Sequence, residues 1–162
     1  MADKIFRVNM SELITTIEDV PPEWVELGGR GLTSTIVAKE VPATCHPLGE
    51  NNKLVFAPGL LTGTGAANSG RLSAGGKSPL THTIKESNAG GTASQLMAQI
   101  GIKAVIIEGL PQEDKFYSLH ITKDDVTIQE ETELVGQGNF AVADAMRKKF
   151  GKRIGVITIG PA

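Results

Sequence analysis

The run from Leu54 to Gly91, LVFAPGLLTGTGAANSGRLSAGGKSPLTHTIKESNAGG, limits what this chain can fold into more than any other stretch. It opens as a short apolar strand, breaks at Pro58-Gly59, and carries eight glycines, at 59, 63, 65, 70, 75, 76, 90 and 91. Glycine allows positive φ and close backbone approach, but it loses more conformational entropy on folding than any other residue. A folded domain with so many glycines outside its regular elements is expected to hold something against its backbone. Asn88-Ala89-Gly90-Gly91 precedes a helix predicted from Thr92, and free N–H groups together with the helix dipole favour an anion there. Arg71, inside the same run, adds a fixed guanidinium fork suited to phosphate or carboxylate.

A length of 162 residues allows one domain with a real core, or two small intertwined halves. With 40% apolar and 21% charged residues the chain reads as globular, and a net charge of −2 gives no basic field for nucleic acid. No apolar run approaches the roughly 18–20 residues of a membrane span, and MADKIFRVNM lacks a secretory apolar region. The expected location is the cytoplasm, with neither nucleic acid nor membrane as partner. Cys45 is the single cysteine. That excludes an internal disulfide and a four-thiolate zinc or iron–sulfur site within the chain. His46 adjoins it, but no second pair stands at metal spacing, so Cys45 reads as a half-buried loop residue. No catalytic residue and no metal ligand is assigned.

In chain order, residues 4–10 and 14–18 read as two strands of an opening hairpin. Pro21-Pro22-Glu23 starts a helical turn with Trp24, Val25 and Leu27 inward, stopped by Gly28-Gly29. Residues 32–41 fit a helix packed on a sheet. LGGRGL is a second glycine-rich place with an arginine; it is either another anion-facing position or a helix joint with Arg30 in water. Residues 42–52 read as loop, Leu72-Ser73-Ala74 as a strand begun by Arg71, and 77–81 as a turn. Thr92–Ile100 has a helical apolar stripe with Gly101 as its stop. Lys103–Gly109 is a β-branched strand of the kind buried on both faces. Residues 116–122 and 126–129 form a second hairpin, in which His120 reads as structural. Asn139–Phe150 reads as a helix with Phe140, Val142, Ala143, Met146 and Phe150 inward and the basic run 147–149 in solvent. The ending GVITIGPA reads as a strand. Strand-then-glycine occurs in LVFAPG, AVIIEG and VITIGPA, a pattern compatible with internal duplication.

Several of these stretches, taken in succession, resemble the N-terminal domain of the aldehyde ferredoxin oxidoreductase family of tungsten-pterin enzymes. They are FRVNM, LGGRGL, NNKLVFAPGLLTGTGAANSGR, KSPLT, SNAGG, AVIIEG and IGPA, in order and over nearly the whole chain. The resemblance implies a two-sheet base carrying a tungsten (or molybdenum) bis-pterin. Residues 1–162 would then be a single N-terminal cofactor-binding domain, a fragment or separate subunit of a larger enzyme that oxidises aldehydes to carboxylic acids. It also implies that helical C-terminal domains, or a subunit carrying them, supply further pterin contacts, the acid–base groups and a [4Fe–4S] cluster, with magnesium at the pterin phosphates. Electrons would leave to ferredoxin or a similar acceptor. No cluster ligand lies in this chain, which should be inactive alone, and a homo-oligomer is compatible with the family.

Carried over by the resemblance, Arg71 corresponds to the arginine between pterin and cluster. Asn88, Ala89 and Gly90 correspond to the segment meeting the pterin phosphate and its magnesium through the main chain, and Gly70 lets backbone come close. The alternative is a phosphate- or nucleotide-binding module without redox chemistry. The nearest approach to a P-loop, Gly75-Gly76-Lys77-Ser78, has the wrong spacing. The expected fold is α+β: two packed, mostly antiparallel or mixed sheets with three or four helices. Val55, Val105, Ile106, Ile107, Ile157 and Ile159 are expected in the core. Consecutive hairpins at 4–18 and 116–129 argue against a doubly wound parallel sheet.

Overall fold

The computed structural model describes residues 3–161. Its strands are β1 (Lys4–Asn9), β2 (Ile14–Asp19), β3 (Lys53–Pro58), β4 (Arg71–Lys77), β5 (Ile84–Gly90), β6 (Ile102–Glu108), β7 (Phe116–Ile121) and β8 (Val126–Glu131). The helices are α1 (Gly29–Glu40), α2 (Thr92–Gln99) and α3 (Asn139–Phe150), with a 3-10 turn at Pro22–Trp24. Six strands form one mixed sheet in the order β2-β1-β6-β3-β4-β5, and β7-β8 form a second sheet of two strands. Only β1 and β6 run parallel; every other neighbouring pair is antiparallel. This is the α+β, two-sheet arrangement expected from the hairpins.

Strand alternation divides the core into two layers. Ile5, Val55, Ala57, Ala104 and Ile106 point to one face of the large sheet, where Leu32, Ile36 and Val37 of α1 and Trp24 cover them. Phe6, Val8, Leu72 and Val105 point to the other face, against Met97 of α2 and Val126 of β8. Leu119, Ile121 and Ile128 of the small sheet pack on that second layer. A hydrogen bond from Thr15 Oγ1 to the Val126 carbonyl (3.1 Å) ties the two sheets at one edge. Close approach of α1 to β4 depends on glycine: a Cβ on Gly75 would stand 2.7 Å from Thr33 Cβ.

The open end of the α1 layer is held by charge. Arg7 donates to Glu18 Oε1 (2.9 Å), Glu40 Oε2 (2.9 Å) and Glu108 Oε2 (3.0 Å), so one guanidinium joins β2, α1 and β6. Lys53 of β3 also bonds Glu108 and lies 3.4 Å from Glu40. Burial opposes the charge on Arg7, but the hydrogen bonds to Glu40 and Glu18 outweigh it and raise its pKa. Burial likewise opposes ionisation of Glu40, and the Arg7 and Lys53 charges hold its pKa below the usual glutamate value.

The structure departs from the sequence expectations in several places, among them Val25, expected inward beside Trp24 but 52% exposed. Ile157 and Ile159 are 50% and 77% exposed, and 154–159 pairs with no strand among the described residues, so these residues are neither core nor ladder. With its third member gone, the repeated strand-then-glycine figure reduces to β3 and β6, which are adjacent antiparallel strands of one sheet rather than equivalents from two halves. Ile107 is only partly buried, at the less covered end of β6. Phe140, expected inward on α3, is 90% exposed; Val142 is the residue of that helix that is buried. His120 has the structural role expected of it, stacked on Phe150 with ring centroids 4.2 Å apart. Cys45 is half-buried and packs against the α1 layer.

Candidate functional site

The segment 84–90, to which the sequence assigned no element ahead of the helix from Thr92, is the edge strand β5. Its register with β4 sets Arg71 opposite Gly90, Leu72 opposite Ala89 and Ser73 opposite Asn88. All five predicted site residues therefore meet at one end of this strand pair. Alternation then sorts them between the faces. Arg71, Asn88 and Gly90 share the α1 face with Ser73, whose hydroxyl a Cβ on Gly29 would approach to 3.4 Å. Gly70 and Ala89 belong to the α2 face, where a Cβ on Gly70 would stand 2.8 Å from the Gln95 side chain.

The anion-facing helix start beside Arg71 and Asn88 is therefore that of α1, not α2. Gly91, at φ 135°, begins α2, but that helix packs into the opposite layer through Met97. A concavity of about 340 Å³ on the α1 face is lined by Gly29 and Arg30 from the first turn of α1 and by Arg71, Ser73 and Asn88 from the sheet, with Gly59 and Glu86 at its sides. The LGGRGL arginine thus lies in the same cavity as Arg71, and it is exposed. Of the two readings open for Arg30, the structure combines both: a helix joint, and a position facing the cavity.

Local backbone explains why these groups converge. Gly28 precedes α1 in extended conformation, and a Cβ there would stand 2.5 Å from the Leu60 nitrogen, so glycine lets the helix start lie on the turn after β3. The Gly59 N–H donates to the Arg71 carbonyl (3.1 Å), which fixes the start of β4 to the end of β3. Thr62 Oγ1 bonds the Ser69 carbonyl and closes the intervening loop. The Asn88 amide donates to Ser73 Oγ (3.2 Å) and Glu86 Oε1 (3.4 Å), fixing its orientation.

The cavity is electropositive. Ion pairs among the described residues run through Lys4, Arg7, Lys39, Lys53, Lys115, Arg147 and Lys149, and none involves Arg30 or Arg71. The α1 start has no side-chain cap and no acidic residue in its first turn, so its N–H groups and dipole add to the two guanidinium charges. Glu86 is the single carboxylate at the rim. Such a donor set fits phosphate oxygens, with backbone free to approach at Gly90, where an added Cβ would meet nothing nearer than Arg71 Nη1 at 4.0 Å. It offers no thiolate and no imidazole. Sequence reasoning did not assign Ser73, Glu86 or Gly29 to this place; the signal for Ser73 was its position two residues beyond Arg71 on one strand face.

The chain is similar to known proteins in sequence and in fold. The chain is 34% identical to a tungsten-containing aldehyde ferredoxin oxidoreductase of Thermococcus kodakarensis and 32% identical to one of Pyrococcus furiosus, over 162 residues in each case. Each alignment covers 98% of this chain and 26% of the relative, so the chain spans about a quarter of the length of these curated relatives. Among solved structures, it superposes with a TM-score of 0.86 and 27% identity on a chain of the active site complex BamBC of benzoyl coenzyme A reductase in complex with 1,5-dienoyl-CoA. That match covers 93% of this chain and 23% of the other. The family model of the aldehyde ferredoxin oxidoreductase N-terminal domain matches residues 5–162, and the chain belongs to that family.

Proposed function

We propose that this domain is the base on which the bis-pterin cofactor of a tungsten-dependent aldehyde oxidoreductase lies, within a larger enzyme that also contains helical domains. The observation that carries this reading is the cavity itself: two arginines without ion-pair partners among the described residues, set beside Asn88 at an uncapped helix start. Arg71, Asn88 and Gly90 hold the anionic end of the cofactor from the α1 face of the sheet. Gly70 and Ala89 let the main chain of the same two strands come close. When bound, the cofactor supplies the two-electron redox chemistry that converts an aldehyde to a carboxylic acid. This chain contributes orientation and charge. Arg71 presents a rigid planar fork, and the Gly59 N–H bond to its carbonyl keeps that fork in register with Asn88 across the strand pair. The [4Fe–4S] cluster and the acid–base groups belong to the remainder of the enzyme, magnesium lies with the phosphates beside the Asn88–Gly90 main chain, and ferredoxin or a similar carrier accepts the electrons.

In the full-length enzyme, Arg71→Ala is expected to lower aldehyde oxidation or cluster–pterin electron transfer by about tenfold to a hundredfold, the worth of one shielded charge-assisted contact. The domain fold should be unchanged, since Arg71 is exposed. Arg71→Lys should also be impaired, because a point charge does not reproduce a bidentate fork. Stopped-flow reduction of the cluster, with circular dichroism as the check on folding, measures both; wild-type rates in both variants would remove Arg71 from the site.

A further inference from the structure

Two charged groups of the cavity, Arg30 and Glu86, are given no contact with the cofactor in the reading above. Arg30 stands in the first turn of α1, lines the same concavity as Arg71, and forms no ion pair among the described residues. Solvent alone does not account for this placement. The joint before α1 is packed so closely against the turn after β3 that only glycine fits at 28, and Gly29 adopts φ 51° above Ser73. These two conformations set the start of α1 over the end of β4 and bring its first side chain to the β4–β5 end. Two like charges facing one cavity repel each other unless an anion lies between them.

We infer that Arg30 is a second anchor for the phosphate end of the ligand, so that this end is gripped from both walls: Arg71 and Asn88 on the sheet side, Arg30 and the free N–H groups of α1 on the helix side. The inference rests on the cofactor-base reading and adds a residue and a wall to it. Glu86 opposes the grip. Its carboxylate lies at the rim and accepts a hydrogen bond from the same Asn88 amide that reaches Ser73, so it repels a phosphate and competes for that donor. A ligand carrying two phosphate charges satisfies both arginines at once. Anion affinity should therefore depend on Arg30 and Arg71 about equally and rise when Glu86 is neutralised.

The test titrates the 162-residue chain with inorganic pyrophosphate, ADP and a metal-free oxidised pterin phosphomonoester at low ionic strength, followed by calorimetry. Arg30→Ala is expected to weaken pyrophosphate binding about tenfold, as Arg71→Ala does, and Arg30→Lys to weaken it less. Glu86→Gln should tighten it, and Lys148→Ala, which removes the same charge from α3, should leave it unchanged. Arg30 is exposed and its side chain makes no hydrogen bond among the described residues, so these variants leave the fold intact. Loss of affinity in Arg71→Ala with none in Arg30→Ala overturns the role of Arg30 and leaves the cofactor reading standing. ADP bound more tightly than the pterin phosphomonoester overturns the cofactor reading, while an Arg30 effect on both ligands keeps Arg30 as an anchor. No pyrophosphate binding by the unaltered chain at low ionic strength overturns the two-walled grip and the role of Arg30 in it, while the cofactor reading is judged by the Arg71 variants of the full-length enzyme.

Discussion

Replacing Arg7 by alanine is expected to cost the fold about 3–5 kcal/mol, the usual penalty for removing one member of a buried charge cluster. The variant would leave Glu40 and Glu108 with Lys53 alone and Glu18 with no ion-pair partner among the described residues. The Arg7 side chain is only 19% exposed, so solvent screening does little to soften the loss. Urea denaturation of the two chains measures the difference, and a change below about 1 kcal/mol, typical of a surface pair, would show that the cluster is solvated. The same cluster sets the acid limit of the fold. The Glu40 carboxyl has a lowered pKa in the folded chain, so its contribution is complete above the ordinary glutamate value of 4.5 and is lost as pH falls from there through the folded pKa. The unfolding midpoint should drop across that window, and Glu40→Gln should flatten the drop.

The second large effect concerns the purified chain. It is expected to be colourless, free of iron and tungsten, and without aldehyde-oxidising activity. A single cysteine cannot ligate a [4Fe–4S] cluster. The cavity between α1 and the β4–β5 end is open to water, and charge-assisted contacts weaken there by screening. The chain should also self-associate. Leu60 and Leu61 beside the cavity are 55% and 61% exposed, and Phe140 and Ile159 are uncovered elsewhere. Metal analysis and size-exclusion chromatography read the two halves separately. Stoichiometric iron or tungsten in this chain would contradict the account outright.

Much of the fold was legible because its periodicities are strong. The apolar stripe of Thr92–Ile100, with Gly101 behind it, is the helix α2, and β6 shows its unbroken β-branched run directly. The strand β5 was not legible. IKESNAG carries almost no apolar residue because it is an edge strand whose side chains face solvent, and β-structure there rests on backbone pairing with β4 alone. The opposite error at 154–159 has the complementary cause: β-branched residues favour extended backbone, but a strand also needs a neighbour.

The site was half legible. Its residues on β4 and β5 followed from glycine chemistry and family resemblance. Which helix faces them did not follow, because that depends on which side of the sheet each connection crosses. The chain between α1 and β4 passes through β3, and no local pattern in LGGRGL reports that it returns beneath its own helix start. Nor does sequence spacing reveal that Arg30 and Arg71 line one cavity; sheet order does.

That order also governs when the domain can come into being. The hairpin β1-β2 and the three-stranded unit β3-β4-β5 share no ladder; within the sheet each is joined to the other only through β6, which enters between them and is the last of the six in the chain. On the ribosome, the first hundred or so residues emerge as two patches of sheet with the edges of β1 and β3 unpaired and both apolar layers split. The closing pairings bring together residues far apart in sequence, Lys4 with Ile102 and Asn9 with Glu108, so loop closure must be completed before any of their contacts can repay it. Arg7 stays unpaired with Glu108 until the same moment. Assembly of this domain is therefore a late, single event keyed to the synthesis of Ile102–Glu108, and the nascent chain before that point has its greatest exposure to mispairing and its greatest need of shelter.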